Sequence, residues 1–579
     1  MKQQTANSKQ QWLILAIFSF LIFLFGCDRK VEPQNSSNSG GSVSKASTDG
    51  EVVLGEKIEN PYSVKAMKKA YRNIQLINSK YSIGSPQSIE FDVRPTHYYV
   101  RLLPNTWAAY DTLKRDTTIF LVDIPIDVKV EKDGDYYHDP TIPSDMPTWQ
   151  YTSVGLDYHA PEGVTMEVLD TLYLPDKAEN YEKASNDRQL AIDLLENEAL
   201  FITDNLTEEE LKLRPVDDKG GRKNWFWNNW LPPWFQPKGT ITVWDDIANR
   251  VVPVVGAKVR TWRFFDTGTG YVGNDGTYYV NNRYRYAYWS RIIWENSDYD
   301  IRESITGLTQ AQTFGPWNKG DWNQEFYTNG WRDGINWMYS HMTRAMYRYC
   351  EGDIDGLTRP VFYMAPTFLN TPLKIVAVNR TGDQQGLNIG NWSIHGINPN
   401  IFIYGYSNGT RLKSDEIYSV TIHEVAHSTH WKKAYGGLSL AFVDTWTRES
   451  WATAVEWVLT QKEYKDVLGI ANYGEASYSD GSPPTAFGGQ QIPKSDDYSS
   501  VFIDLIDNFN QSAFYTTSGN SVYPNINDKV TGYSIFYIEN NILPHVYGKA
   551  SLKRRLKSCP KPSGVTDEKI DDLVNSFGN

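Results

Sequence analysis

The sequence predicts a multidomain α+β protein, with a mixed N-terminal domain, a small β-sandwich and a mainly helical domain that contains a small sheet. Three observations lead to this prediction. The chain has 579 residues, which is too many for one hydrophobic core. Strand-forming runs with turn signals dominate the middle of the chain, whereas long helical periodicities dominate its last part. Hydrophobic and charged contents of 40% and 22% are typical of a folded soluble protein.

Charge and cysteine content argue against two classes of protein. The net charge is −12 and the sequence has no basic block, so we expect no nucleic-acid partner. The chain has three cysteines, and Cys350 and Cys559 are too isolated to form a disulfide framework. We expect these two thiols to be unpaired.

The N-terminus carries a targeting signal rather than part of the fold. Lys2 and Lys9 precede an apolar run over residues 12–25, and Gly26 and Cys27 follow directly. This pattern resembles a bacterial lipoprotein signal, which implies that cleavage leaves Cys27 as the lipidation site. A plain signal peptide or a short transmembrane anchor is the alternative interpretation.

This resemblance assigns residues 1–27 as a lipoprotein signal peptide. Residues 28–50 are rich in Ser, Asn, Gly and Lys, and we interpret them as a flexible tether. The resemblance implies a cell-envelope protein that is lipid-anchored to a bacterial membrane. We expect the outer membrane, with the protein facing the periplasm or the exterior.

Residues 51–215 form the predicted mixed N-terminal domain. Apolar spacing predicts helices over residues 61–78 and 189–197, and strands over residues 98–104 and 118–122. The segments 60–64 and 95–100 are similar to the N-terminal part of uncharacterised lipoproteins common in Bacteroidetes. That resemblance implies no particular activity.

Residues 216–238 are rich in Trp and Pro, and they read as a linker whose aromatic side chains pack between domains. If these aromatic side chains were exposed, they could instead bind sugar rings or a protein partner.

Residues 239–302 form the predicted β-sandwich. Residues 239–243 and 253–259 are strand-like, and residues 274–278 contain the Asp-Gly pair that favours a tight hairpin turn. This block resembles a carboxypeptidase-regulatory-like domain of the prealbumin type. The resemblance implies a spacer or supporting module without catalytic residues.

Residues 303–579 form the predicted catalytic domain. A helix is expected over residues 323–349, and strands are expected over residues 373–378 and 400–404. The second strand comes shortly before a helix that contains a metal-binding pattern. This part resembles zinc peptidases, which implies that the second strand is an edge strand that pairs with an extended substrate.

The metal-binding pattern is H-E-x-x-H, formed by His423, Glu424 and His427. On a helix the two histidines lie one turn apart on the same face and can bind one metal ion. Glu424 can reach a metal-bound water without being a ligand. This arrangement suits Zn²⁺, which lowers the pKa of its water to about 7, with a carboxylate that accepts the proton.

A third ligand must come from elsewhere. His430 follows His427 by only three residues, and its ring cannot easily complete a tetrahedron with two others from the same stretch. The metzincin pattern fails because His430 stands where that family has Gly, and Lys433 stands where it has the third His. The better candidates are Glu449 and Glu456, on a second helix expected over residues 444–461.

Residues 400–460 resemble the gluzincin superfamily, in which H-E-x-x-H is followed on a later helix by a glutamate ligand. The resemblance implies one Zn²⁺ per chain, held by His423, His427 and Glu449, with Glu424 as general base. Arg448 and Thr453 replace the Asn and Asp found near that glutamate in thermolysin-type enzymes, so the residues supporting the ligands remain open. Glu456 is the alternative third ligand.

A peptide-hydrolysing site also needs a donor for the tetrahedral oxyanion. The resemblance makes Tyr533, Tyr537 and His545 candidates for that role. We therefore predict zinc-dependent hydrolysis of peptide bonds, in a peptide or protein substrate, by a lipid-anchored metallopeptidase. The alternative is a non-catalytic surface lipoprotein that binds glycan or protein and keeps a relict metal site. Three ligands and a base also allow a zinc hydrolase that acts on a non-peptide bond.

Overall fold

The computed structural model describes much of the chain after residue 50. The described residues are 51–81, 90–132, 134, 136–212, 231–303, 309–329, 331–352, 356–360, 362–364, 369–382, 386–388, 401–407, 409–433, 442–471, 473, 499–508, 510 and 526–577. The predicted signal with Cys27, the predicted tether and most of the predicted linker lie outside them. Of the helices in the described part, none is long and apolar enough to cross a bilayer.

The described residues contain α-helices and several sheets, as a multidomain α+β protein requires. The helices are α1 Val64–Tyr81, α2 Trp107–Lys114, α3 Pro175–Ala178, α4 Asn186–Ile202, α5 Glu208–Lys212, α6 Trp331–Cys350, α7 Ser414–Lys433, α8 Thr445–Gln461, α9 Val501–Asp504, α10 Ile535–Tyr537, α11 Lys549–Ser558 and α12 Asp567–Ser576. Short 3₁₀ or π turns cover Tyr181–Lys183, Lys462–Val467, Ile538–Ile542 and Leu543–His545.

The strands are short, with few exceptions. They are β1 Val53–Lys57, β2 His97–Pro104, β3 Val128–Lys132, β4 Gln150–Gly155, β5 Val164–Leu172, β6 Lys238–Asp245, β7 Arg250–Pro253, β8 Lys258–Arg263, β9 Asp266–Tyr271, β10 Thr277–Tyr279, β11 Trp289–Ile293, β12 Tyr299–Glu303, β13 Thr309–Gln310, β14 Gln312–Phe314, β15 Gln324–Phe326, β16 Phe362–Met364, β17 Leu369–Thr371, β18 Leu373–Gly382, β19 Gly386–Asn388, β20 Ile401–Ser407 and β21 Thr410–Arg411.

The N-terminal unit combines a three-stranded sheet, in the order β4-β2-β5, with the packed helices α1 and α4. Both helices and strand β2 were predicted, and the Ser185 hydroxyl caps α4 by accepting the Arg188 backbone N–H at 3.3 Å. The strand predicted over residues 118–122 is wrong. Asp116 accepts the Thr118 backbone N–H at 2.9 Å, which forms a turn there, and only Val122 makes an isolated bridge.

Two four-stranded sheets make up the sandwich. One has the order β10-β6-β15 with β7 also paired to β6, and the other has the order β14-β11-β8-β9. The predicted hairpin turn precedes β10, and it places Gly276 at a φ of +82°, where a side chain would be strained. Strands β14 and β15 lie beyond residue 302. Residues that were predicted to belong to the catalytic domain therefore complete the sandwich.

The helical region carries a six-stranded sheet, in the order β13-β12-β18-β20-β19, with β21 also paired to β20. Strand β20 is therefore not the expected edge strand, because β19 pairs with its residues 401–403 and the Leu412 N–H donates to the Gly405 carbonyl at 2.9 Å. The helix predicted over residues 323–349 begins later, at Trp331. Its first part is instead β15, which pairs in parallel with β6.

The sandwich shares its core with the helical region. One continuous cluster of buried apolar residues extends from Ile241 on β6 to Val574 on α12. A second cluster fills the N-terminal unit and also includes Trp262, Phe264 and Tyr286 of the sandwich. The sandwich therefore contacts both neighbours through apolar surface.

A buried network of charges joins the sandwich to helix α7. Asp245, at the end of β6, accepts hydrogen bonds from Ser414 at 2.9 Å, Tyr464 at 3.0 Å and Arg344 at 3.0 Å. Arg344 also pairs with Glu463 at 2.9 Å. Burial alone would raise the pKa of Asp245, but Arg344, His341 and the Ala248 backbone N–H together outweigh it and lower the pKa to about 2. The network thus stays charged and fixes the first residue of α7.

Replacement of Arg344 tests the importance of this network. Arg344→Ala leaves the Asp245 and Glu463 carboxylates buried without their shared cation, so we expect the free energy of unfolding to fall by about 3–5 kcal/mol. Arg359→Ala is the matched control, because Arg359 is half exposed and its ion pairs contribute only about 0–1 kcal/mol. Urea unfolding followed by tryptophan fluorescence measures both. Equal stability of the two variants would contradict the assignment.

Candidate metal centre

Helix α7 carries the H-E-x-x-H residues, and hydrogen bonds hold its first turn in place. The helix begins at Ser414, where Glu416 accepts the Lys413 backbone N–H at 2.6 Å and the Ser414 N–H donates to Asp246 at 2.9 Å. The residues that follow Lys433 up to position 441 lie outside the described part of the chain. Asp415, in the first turn, is buried and accepts the Tyr473 hydroxyl at 3.0 Å.

Helix α8 brings the candidate glutamates to α7. The predicted helix over residues 444–461 is confirmed, and Asp444 caps it by accepting the Thr447 backbone N–H at 2.8 Å. The two helices pack against each other, and Ala426 on α7 and Ala452 on α8 are both buried.

Two histidine nitrogens and one carboxylate oxygen converge between the helices. Glu449 Oε2 lies 3.2 Å from His423 Nε2 and 3.3 Å from His427 Nε2. The three ligand atoms all lie within 4.8 Å of one another. Bond lengths of about 2.0–2.2 Å to zinc would place tetrahedral ligand atoms about 3.3 Å apart, so these residues fit a zinc ion.

The centre is not sealed by its own ligands. His427 and Glu449 each keep 13% of their side-chain surface exposed, whereas His423 keeps 7%. Catalytic zinc sites combine three protein ligands with an open position, whereas structural sites are closed by four. The three donors found here, whose side chains stay partly exposed, match the open arrangement.

Glu456 lies on the other side of the His423 ring. Its Oε2 is 2.9 Å from His423 Nδ1, and its side chain is buried. Nε2 of the same ring faces Glu449. The two carboxylates that were considered as third ligands thus occupy different positions. Glu449 lies at the convergence point. Glu456 lies behind the His423 ring, where it orients the imidazole.

The charges within this group favour a cation at its centre. Burial would lower the pKa of His423, but hydrogen bonds to Glu449 and Glu456 outweigh it and raise the pKa to about 10. Burial opposes ionisation of Glu449, yet the histidines hold its pKa well below the usual range. A proton or a metal ion can supply the positive charge that this arrangement stabilises.

Glu424 lies beside the convergent residues without being one of them. It is buried, and burial is the main cause that raises its pKa above the usual value. His423, His427 and Glu449 are close enough to influence that pKa. A carboxylate with a raised pKa next to a metal position is suited to accept and return a proton.

The candidate oxyanion donors come from the last described segment of the chain, residues 526–577. Tyr533 and Tyr537 pack against each other with ring centroids 5.9 Å apart, and the Tyr537 hydroxyl donates to the Pro560 carbonyl at 3.3 Å. His545 lies in a 3₁₀ turn that contacts α7. The oxyanion role of these three residues stays a prediction. His430 is buried outside the convergent group, and burial lowers its pKa to about 3.

Two features of the described residues were not found from the sequence. The buried network around Asp245 and Arg344 joins residues that are far apart in sequence, so no local pattern indicates it. Asp504, Asp507 and Asp528 also place carboxylate oxygens within 4.8 Å of one another. The three-residue spacing of Asp504 and Asp507 was the only available sequence signal for this acidic cluster. Cys350 and Cys559 are free thiols, as expected.

Comparisons with protein-family models, with curated proteins and with solved structures find no match to this chain.

The buried Asp415 predicts a specific pH dependence of stability. Burial raises its pKa from 3.8 to about 7, so the folded protein holds a proton that the unfolded chain releases near pH 4. The contribution of this carboxyl to the free energy of unfolding therefore falls as pH rises from about 4 to 7. We expect Asp415→Asn to be more stable than the wild type at pH 8, with the difference shrinking towards pH 4. Urea unfolding at several pH values measures it, and a constant difference contradicts the prediction.

Substitution of the two glutamates separates their roles at the centre. We expect Glu449→Gln to remove zinc binding, because it replaces a charged ligand. We expect Glu456→Gln to retain zinc with an affinity about 10–100-fold lower, because it only weakens the orientation of His423. Titration with a competing chelator measures both affinities, and Glu416→Gln on α7 is the control. Loss of zinc from Glu456→Gln together with retention by Glu449→Gln would reverse the assignment.

Proposed function

We propose that this protein is a zinc-dependent metallopeptidase of the gluzincin type that acts at the cell envelope. The observation that carries the proposal is the convergence of His423 Nε2, His427 Nε2 and Glu449 Oε2, with Glu424 beside them. This donor set, with its residual exposure, fits a catalytic rather than a structural zinc ion.

Finer features of the fold are part of the same proposal. The sandwich of two four-stranded sheets is proposed to be prealbumin-like, and the region that carries α7, α8 and the six-stranded sheet is proposed to be a zincin-type catalytic domain. Support comes from the sheet orders and from the short edge strand β19, which contacts α7. We propose that β19, rather than β20, pairs with substrate.

Each residue of the centre has a distinct role. His423, His427 and Glu449 hold the zinc ion, which when bound polarises the substrate carbonyl and acidifies a water molecule. Glu424 accepts the proton from the attacking water and passes it to the leaving amine. Glu456 accepts a hydrogen bond from His423 Nδ1, and it thereby keeps the Nε2 lone pair directed at the centre.

The proposed location rests on residues 1–50 alone. Their resemblance to a lipoprotein signal and tether supports a lipid anchor at Cys27 in a bacterial membrane. A peptidase held there meets peptides or proteins outside the cytoplasm.

A Glu424→Gln variant tests the proposed function. The substitution keeps the size and shape of the side chain but replaces the carboxylate by an amide, which is not basic. We expect the variant to bind one zinc per chain and to lose about 10²–10⁴-fold in kcat on a quenched fluorescent peptide library. Glu416→Gln on the same helix should keep full activity.

Two results would overturn the proposal. One is a wild-type protein that binds no zinc. The other is hydrolysis that neither Glu424→Gln nor a chelator reduces. A zinc-loaded protein that cleaves no peptide would favour the alternative, a surface lipoprotein with a relict metal site.

A further inference from the structure

His430 lies on the same side of α7 as the two histidines of the metal centre. Residues three apart on a helix are neighbours, with Cβ atoms about 5–6 Å apart, so His430 is a direct neighbour of His427. The residue is only 1% exposed. Within the described part of the chain, neither its Nδ1 nor its Nε2 has a hydrogen-bond partner. His430 is therefore a buried polar group beside the centre that the proposed ligand set leaves unused.

A buried imidazole without partners offers two unused hydrogen-bonding positions. Burial lowers the pKa of His430 to about 3, so the ring is neutral and carries one N–H donor and one acceptor nitrogen. Polar groups in a protein interior nearly always have a hydrogen-bond partner, and exceptions mark catalytic roles, ions or ordered water. The His430 ring thus points to a ligand or a water molecule that completes its hydrogen bonds.

Arg448 lies on the facing helix α8, directly before the proposed zinc ligand Glu449. Its side chain is partly exposed, and its charge is close enough to His430 to lower the pKa of that ring further. Its Nη2 donates to the Thr445 hydroxyl at 3.1 Å. A guanidinium carries five N–H donors in a planar fork, so it can bind a ligand and the Thr445 hydroxyl at the same time.

The charged and titratable groups that act on His430 come from both helices. His427 belongs to α7, whereas Arg448 and Glu449 belong to α8. Glu449 is a proposed metal ligand, so its negative charge is engaged when the centre is filled. The Arg448 cation then lies next to a neutral imidazole. Such a pair favours a small anion.

A carboxylate matches these donors. The fork of a guanidinium binds both oxygens of a carboxylate in parallel, which makes the contact strong and directional. A neutral imidazole N–H adds a further donor to one of those oxygens. A peptide carries carboxylates at its C-terminus and on Asp and Glu side chains. Both sources therefore present the same chemistry to Arg448 and His430.

We propose that Arg448 and His430 form a carboxylate-binding subsite beside the metal centre, which selects peptides with a carboxylate near the bond to be cleaved. This inference rests on the proposed peptidase function, because it specifies which substrates that centre takes. The partly exposed Arg448 meets the carboxylate, and the covered His430 supplies a donor at the closed end of the subsite.

Binding of matched peptides to the full chain tests the subsite without turnover. Zinc-loaded Glu424→Gln protein is titrated in a calorimeter with four versions of one acetylated, uncharged hexapeptide. These are the C-terminal acid, the C-terminal amide, and amides with one Glu or one Gln at the same position. We expect the acid or the Glu peptide to bind roughly 10-fold or more tighter than its neutral counterpart. Tighter binding of the acid identifies the C-terminus as the source, and tighter binding of the Glu peptide identifies a side chain.

Substitutions in the subsite, made in the Glu424→Gln protein, reduce this preference. We expect Arg448→Gln to bring the ratio of affinities to within about 2-fold, and Arg448→Lys to give an intermediate ratio, because Lys keeps the charge but loses the fork. His430→Phe keeps a ring but removes the donor, so we expect the ratio to fall by about 3-fold. Arg359→Gln is the matched control, because Arg359 is a half-exposed arginine outside the subsite, and it should keep the original ratio.

Two outcomes would overturn the subsite. One is that carboxylate and neutral peptides bind equally well, or that none of the four binds. The other is that Arg448→Gln and Arg448→Lys keep the full preference while their circular dichroism and zinc content match those of the parent protein. Peptide cleavage by the wild type distinguishes this failure from failure of the proposed function. Cleavage without a carboxylate preference refutes the subsite alone, whereas a carboxylate preference in a protein that cleaves no peptide supports the subsite and refutes the peptidase.

Discussion

Buried charge is the constraint on which the arrangement of this protein depends. Asp245, Arg344 and Glu463 lie in the core, where an unpaired charge would cost several kcal/mol, so each must be held at hydrogen-bond distance from its partners. These three residues come from strand β6, helix α6 and the π turn after α8. Satisfying them fixes the sandwich, the long core helix and the end of α8 relative to one another. Ser414 joins the same network, so the start of α7 is fixed as well.

The fixed start of α7 matters because the metal centre needs two helices at a defined separation. His423 lies between Glu449 and Glu456, with one carboxylate near each ring nitrogen. A shift of one turn in either helix would exchange or remove these contacts, since one turn is about 5.4 Å. The packing of α7 against α8, together with the buried network at the start of α7 and after the end of α8, therefore decides which glutamate reaches the convergence point. The proposed chemistry is a consequence of that packing.

The sandwich supports both of its neighbours. Its inner residues belong to apolar clusters shared with the N-terminal unit and with the helical region. The sandwich therefore links the N-terminal unit to the region that carries the proposed metal centre.

The sequence by itself determined the local elements. Apolar spacing located α1 and α4, and α8 was expected over residues 444–461. The H-E-x-x-H spacing identified His423, Glu424 and His427, because these signals lie within one or a few helical turns. Tertiary structure decided what depends on distant partners. Residues 324–326 became a strand because β6 supplies a pairing edge, and β20 lost its expected exposed edge to β19. The different positions of Glu449 and Glu456 likewise depend on how α8 packs against α7, and a spacing of seven residues on one helix contains no information about that contact.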